Sequence, residues 1–207
     1  MIKILKSADW SNLPGLQAQL KMTPPTRKSE IESIISKTNF QNSSVLLLIF
    51  EQNNCWKTIL IRRASDHSPH SGQMALPGGR YETHDIHIQN TALRETFEEI
   101  GIPKEYIEIL GELSPVFIPI SNHKVVPFVG FLKQLPELVL DKNEVDEVFF
   151  IPINDLLNQE NIKNEWMNIR NIQIKVPYYL IQNQVIWGAT AMILSEFLEL
   201  LSTSNSQ

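Results

Sequence analysis

Three glutamates constrain this chain more than any other feature. In the run Arg94-Glu-Thr-Phe-Glu-Glu-Ile-Gly101, Glu95, Glu98 and Glu99 fall at i, i+3 and i+4, so on a helix their carboxylates share one side. Leu93, Phe97 and Ile100 are then left for the opposite, core-facing side. Like charges within one turn repel, and near the C-terminal end of a helix the macrodipole disfavours anions further. A positive group belongs beside them, and Mg²⁺ or Mn²⁺ suits, because both take oxygen ligands and bind through a few carboxylates while keeping waters. An acidic helix face by itself is a common solvated surface. The flanking glycines change that reading: Gly78-Gly79 after Leu76-Pro77 is a tight turn that brings backbone close to the helix, and Gly101 with Pro103 beyond it fixes the helix exit.

The rest of the chain reads as strands around that helix. The apolar run Ser44 to Phe50, the turn Glu51-Gln-Asn-Asn54 and Trp56 to Ile61 predict a buried hairpin. A long loop, Arg62 to Arg80, leads to the acidic helix, which begins near Asp85 to Ile88 and stops at Gly101. Further strands are expected at Tyr106 to Leu113, Pro115 to Ile120, Val125 to Leu132 and Glu147 to Ile151, then a short helix at Asn154 to Leu157. The polar stretch Asn158 to Asn168 carries no element, Ile172 to Leu180 and Gln184 to Trp187 are strands, and an apolar helix runs from Ala189 to Leu201. Ahead of all this, Leu13 to Met22 and Ser29 to Ile35 are apolar-periodic and separated by Pro24-Pro25. The expectation is an α/β fold of one domain over 1–207: an N-terminal helical extension over 1–42, a core with a mixed β-sheet between helices over 43–201, and a tail over 202–207.

Composition narrows the function classes. Eighteen Lys+Arg against 23 Asp+Glu give a net charge of −5, which does not favour a nucleic-acid-binding surface, so any anionic ligand must be received by local arginines or a metal. Cys55 is the only cysteine, which excludes an internal disulfide and suits a reducing cytoplasm. No apolar run approaches the ~20 residues of a membrane span, and Met1 to Trp10 has no leader pattern, so neither secretion nor membrane insertion is expected. The five histidines, His67, His70, His84, His87 and His123, have no zinc-site spacing.

The box formed by Gly79, Arg94, Glu95, Glu98, Glu99, Gly101 and Ile102 resembles that of the Nudix hydrolases. Two departures stand out: Asp85 occupies the place of the first glutamate with eight rather than seven residues before Arg94, and Thr96 fills an aliphatic position. The extra residue is expected to bulge the loop before the helix. Upstream, Arg63-Ala64, Ser68, Gly72 and Leu76-Pro-Gly-Gly79 look like the signature of the coenzyme A pyrophosphatase branch, with Ser68 where that branch has arginine and Leu76 where it has phenylalanine. Asn143-Glu-Val-Asp-Glu-Val-Phe-Phe-Ile-Pro152, Pro127-Phe-Val-Gly130 and Ile186-Trp-Gly-Ala-Thr-Ala191 are also similar to family segments, so the likeness runs from about residue 12 to 200.

The resemblance implies a Nudix α/β/α sandwich and metal-dependent water attack on a diphosphate, here that of coenzyme A or its thioesters. The metal ligands would be Glu95, Glu98 and Glu99. Glu98 is the first choice of general base and Glu144 or Glu147 the second; Arg94 is counted with Glu98 and Glu144 among the catalytic residues, and Asp85 would support the loop through Arg94. Arg62, Arg63, His70, Gln73, Gly78, Gly79 and Arg80 would bind a small-molecule substrate. Another nucleoside diphosphate derivative as substrate (ADP-ribose, a nucleotide sugar or a damaged nucleotide) and a non-catalytic nucleotide sensor are the alternatives. A homodimer is expected at the level of the family only.

Overall fold

The computed structural model describes residues 1–34, 39–65, 71–169 and 171–204. The extension contributes three short helices, α1 (Ile2–Ser7), α2 (Gly15–Gln19) and α3 (Lys28–Ile34). Strands β1 (Gln41–Gln52), β2 (Cys55–Arg63), β3 (Met74–Ala75) and β4 (Gly78–Arg80) precede the acidic helix α4 (Ile88–Ile100). After it come β5 (Ile107–Glu112), β6 (Val116–Ile118), β7 (His123–Leu132), β8 (Val145–Pro152) and α5 (Ile153–Leu157). The chain closes with β9 (Ile162–Ile169), β10 (Ile172–Ile181), β11 (Gln184–Ile186) and α6 (Gly188–Ser204). Among the described residues, no helix is long and apolar enough to cross a membrane.

The expected hairpin forms: β1 and β2 are antiparallel, closed by Asn53 and Asn54 with φ of 54° and 58°. Two consecutive positive φ values give the type I′ turn whose twist matches that of the strands, and asparagine tolerates that region better than most side chains. On its other side β1 runs parallel to β7, which pairs in turn with β5 and β6, while β2 pairs with β3 and β8. A separate three-stranded sheet has the order β11-β10-β9.

Both faces of β1 are covered, which is why Val45 to Phe50 reads as an unbroken apolar run. Leu46, Leu48 and Phe50 pack with Ala92 and Ile100 of α4, whereas Leu47 and Ile49 join the core built on α6. The extension is tied to α6 by Glu196, fully buried, whose carboxylate accepts from the Gly15 and Ser114 backbone N–H groups at 3.2 and 3.0 Å and from Gln19 Nε2 at 2.8 Å. A buried carboxylate with every donor supplied by backbone and amide groups avoids the cost of an unpaired charge.

Three expectations need correction. Asn158 to Asn168 is not structureless: it holds β9, whose alternating Asn164 and Asn168 hid a strand that lies at a sheet edge. The Arg62-to-Arg80 loop contains β3 and β4, too short to show periodicity. Phe97 does not face the core but is 55% exposed; the inward face of α4 is made instead by Ala92, Thr96, Glu99 and Ile100.

Candidate active site

Gly78 and Gly79 pair with Val45 and Ser44, which lays the β4 backbone against α4. A Cβ on Gly79 would strike the Glu95 carboxylate, and one on Gly78 would strike the backbone of Ser44 and Val45. This closeness lets the Gly78 N–H donate to Glu99 Oε2 at 2.9 Å. At the other end of the helix, Gly101 takes the left-handed conformation (φ 74°) and its N–H caps Phe97 O at 2.9 Å, as the sequence predicts. The Val139 and Asp141 N–H groups then donate to Ile100 O and Glu99 O. These bonds anchor the segment that turns into Glu144, whose own carbonyl accepts from Ala64 N–H at 2.8 Å.

As a result Glu95, Glu99 and Glu144 each aim one carboxylate oxygen into a common space, all within 4.8 Å of one another. Glu99 is buried, and Arg63 Nη1 lies 3.6 Å from its Oε1, close enough to attract but beyond hydrogen-bond reach. That oxygen has no hydrogen-bond partner. Burial pushes the Glu99 carboxyl up to about 8, against the opposing pull of the Gly78 N–H and Arg63. Burial also raises Glu95, with Arg94 opposing. An orphaned buried oxygen among three converging carboxylates fits a hard divalent cation, which would satisfy the oxygen and offset the repulsion.

Glu98 is not brought to this group. It is half-exposed, and its carboxylate accepts from Arg94 Nη1 at 2.8 Å across one helical turn. Its place as third carboxylate is taken by Glu144, which the family resemblance offered only as a candidate base. Arg94 is the hub of the loop before the helix: it donates to Asp85 from Nε and Nη2, to Glu95 from Nη1 and to Arg80 O from Nη2. Asp85 also receives Thr91 Oγ1 at 2.8 Å and Glu82 N–H at 3.0 Å. The Arg94 hydrogen bond, first among these, holds the buried Asp85 carboxyl well below the usual carboxylate range. The extra residue is absorbed next door, where Ile86 (φ 64°, ψ −52°) makes a γ-turn closed by His87 N–H to Asp85 O at 2.7 Å and points to solvent.

The expected substrate residues divide. Arg63 faces the carboxylates, and its N–H donates to Gln73 O at 3.1 Å. Arg62, its neighbour on β2, points the other way, to Glu147 at 3.1 Å, Gln184 at 3.0 Å and the Phe149 ring at 4.9 Å. Arg80 is exposed at the end of β4. His70, with Ser68 and His67, lies outside the described residues. None of the described histidines joins the acidic group. Thr91, which supports Asp85, was missed; its i−3 position relative to Arg94 was the available signal.

A carboxylate helix set against a double-glycine strand on a mixed sheet defines an α/β protein with a carboxylate group that could hold a divalent cation. The NUDIX domain family pattern matches residues 41–170. The chain is 32% identical over 180 residues to "Uncharacterized Nudix hydrolase NudL" of Photorhabdus laumondii, covering 86% of this chain and 90% of that one. The Yersinia pestis protein of the same name is 31% identical over 185 residues, with 89% and 91% covered. Among solved structures, RenU, a Nudix hydrolase from M. smegmatis, has a TM-score of 0.56 at 15% identity (79% and 86% covered). A C. elegans Ap4A hydrolase has 0.53 at 16% identity (79% and 98%), and both likenesses concern the fold.

The chain belongs to the Nudix family. It is a Nudix hydrolase, of the family that cleaves phosphoanhydride bonds in nucleoside diphosphate derivatives and generally uses divalent metal ions.

Proposed function

We propose that the chain hydrolyses the diphosphate of coenzyme A or a coenzyme A thioester, giving 3′,5′-ADP and a 4′-phosphopantetheine product. The observation that carries the hydrolytic part is the convergence of Glu95, Glu99 and Glu144, with one buried Glu99 oxygen left unpartnered. Support for coenzyme A comes from the segment Arg63-Ala64, Gly72 and Leu76-Pro-Gly-Gly79. Glu95 and Glu99 would hold Mg²⁺ or Mn²⁺, which supplies charge neutralisation of the diphosphate and a more acidic water.

The protein's own residues do the rest. Glu144 is exposed beside the two helix carboxylates and accepts the proton of the attacking water. Arg94 fixes the direction of Glu95 and braces the glycine strand through Arg80 O. Arg63 offers its guanidinium N–H donors to the diphosphate, and Gly79, having no side chain, leaves the space that the Glu95 carboxylate fills. A reducing cytoplasm suits a chain whose sole cysteine is unpaired.

Ser68, in place of the branch's arginine, keeps a second substrate class in view. The deciding experiment is kcat/KM for coenzyme A, its 3′-dephospho form, ADP-ribose and dinucleoside polyphosphates under one metal condition. Coenzyme A is expected to lead. A preference of about tenfold or more for ADP-ribose overturns the branch and leaves the family standing.

A further inference from the structure

The hairpin of β9 and β10 leaves the edge of β9 open along its whole length. Among the described residues β9 pairs with β10 alone, so alternate N–H and C=O groups along Ile162–Ile169 face outward. The other edge of the hairpin is guarded over its second half: β11 covers Tyr179, Leu180 and Ile181, and Pro177 just before them offers no N–H. No proline interrupts β9, and its Trp166 is 69% exposed.

Beside the base of β9 lies a groove of about 490 Å³ whose apolar walls include Met22, Leu156, Ile162, Tyr179 and Leu198. Ile162 and Tyr179 are a cross-strand pair, so they share a sheet face with Asn164 and Trp166 further along the strand. Opposed side chains in a pleated sheet point to one face, so a two-fold antiparallel pairing of β9 with itself must be centred on a residue. Centring on Lys163 or on Glu165 sets like charges against each other, and centring on Trp166 matches no charges. Only Asn164, of these four, places Lys163 opposite Glu165 twice and Ile162 opposite Trp166 twice.

We propose that β9 is the interface of a homodimer in which two copies of this chain pair antiparallel about Asn164, with Trp166 of each copy covering the groove beside Ile162 of the other. The two three-stranded sheets then become one continuous sheet, and both β9 edges are covered. This assembly stands or falls independently of the substrate.

The test is a charge swap on the full chain, read as a dissociation constant by sedimentation equilibrium, with circular dichroism confirming the fold of each variant. K163E turns both attractive pairs into repulsive ones and is expected to weaken the dimer roughly thirtyfold, about 2 kcal/mol. E165K acts in the same direction, and the K163E/E165K double variant returns to within about threefold of wild type. W166A also weakens association, by about tenfold or more. The proposal is overturned by a wild-type chain that is monomeric at about 100 μM. It is equally overturned by single charge reversals without effect, or by a double variant that associates no better than the single ones.

Discussion

Arg94 and Asp85 form a two-point pair, Nε to Oδ1 at 2.9 Å and Nη2 to Oδ2 at 3.1 Å, although Asp85 is one methylene shorter than the residue usual in the family and one position further from the arginine. The γ-turn at Ile86 takes up the extra residue, so the shorter acid still reaches its partner. The pair closes the loop between the glycine strand and the carboxylate helix.

Asp85→Asn should therefore cost stability as well as activity. Losing one partner of a buried charge-assisted pair costs about 3 kcal/mol, or roughly 6–12 °C in melting temperature for a domain of this size. The Asp85 carboxyl is held below its unfolded value, so its contribution is present above about pH 4 and is lost as pH falls below that. Thermal melts of wild type and variant between about pH 3 and 7 should converge on acidification. A gap that stays constant would count against the pair.

Glu99 has the opposite sign. Its folded value, about 8, lies above the ordinary 4.5, so between these values the folded protein holds a proton that the unfolded chain lacks. Metal-free stability should then decline with rising pH, by at most about 1.4 kcal/mol per unit, and level off above 8. Glu99→Gln should flatten that slope and reduce turnover on the order of a thousandfold. Equal slopes in chelated wild type and variant would sink this account.

Glu144 and Glu98 can be told apart directly. Glu144 stands with Glu95 and Glu99, whereas Glu98 is paired with Arg94 in half-exposed surroundings. Glu144→Gln should lower kcat by about a hundredfold or more, and Glu98→Gln by about tenfold or less. The reverse order, measured at saturating metal, would return the base to the helix.

Gly79→Val should abolish most activity with a smaller effect on melting temperature. The new side chain would meet the Glu95 carboxylate, the far end of a flexible side chain that can be displaced, so the expected damage falls on geometry more than on packing. A variant with normal kcat and an unchanged metal dependence would show that Glu95 tolerates displacement.

The sequence alone determined what depends on near neighbours. Helix period put Glu95 and Glu99 within one turn, Gly101 ended that helix in the left-handed conformation that glycine adopts cheaply, and Asn53-Asn54 turned the hairpin. Only the tertiary structure decided which carboxylates meet. Glu98 and Glu99 are adjacent, yet one ends in an ion pair and the other under β4, because a helix turns by about 100° per residue and β4 covers just one side. Arg62 and Arg63 part for a similar reason: successive strand side chains point to opposite faces, and the identity of what lies on each face is set by distant segments. Glu144 joins the site through hydrogen bonds from residues 139 and 141 to the end of α4, a closure across some forty residues that local spacing does not encode.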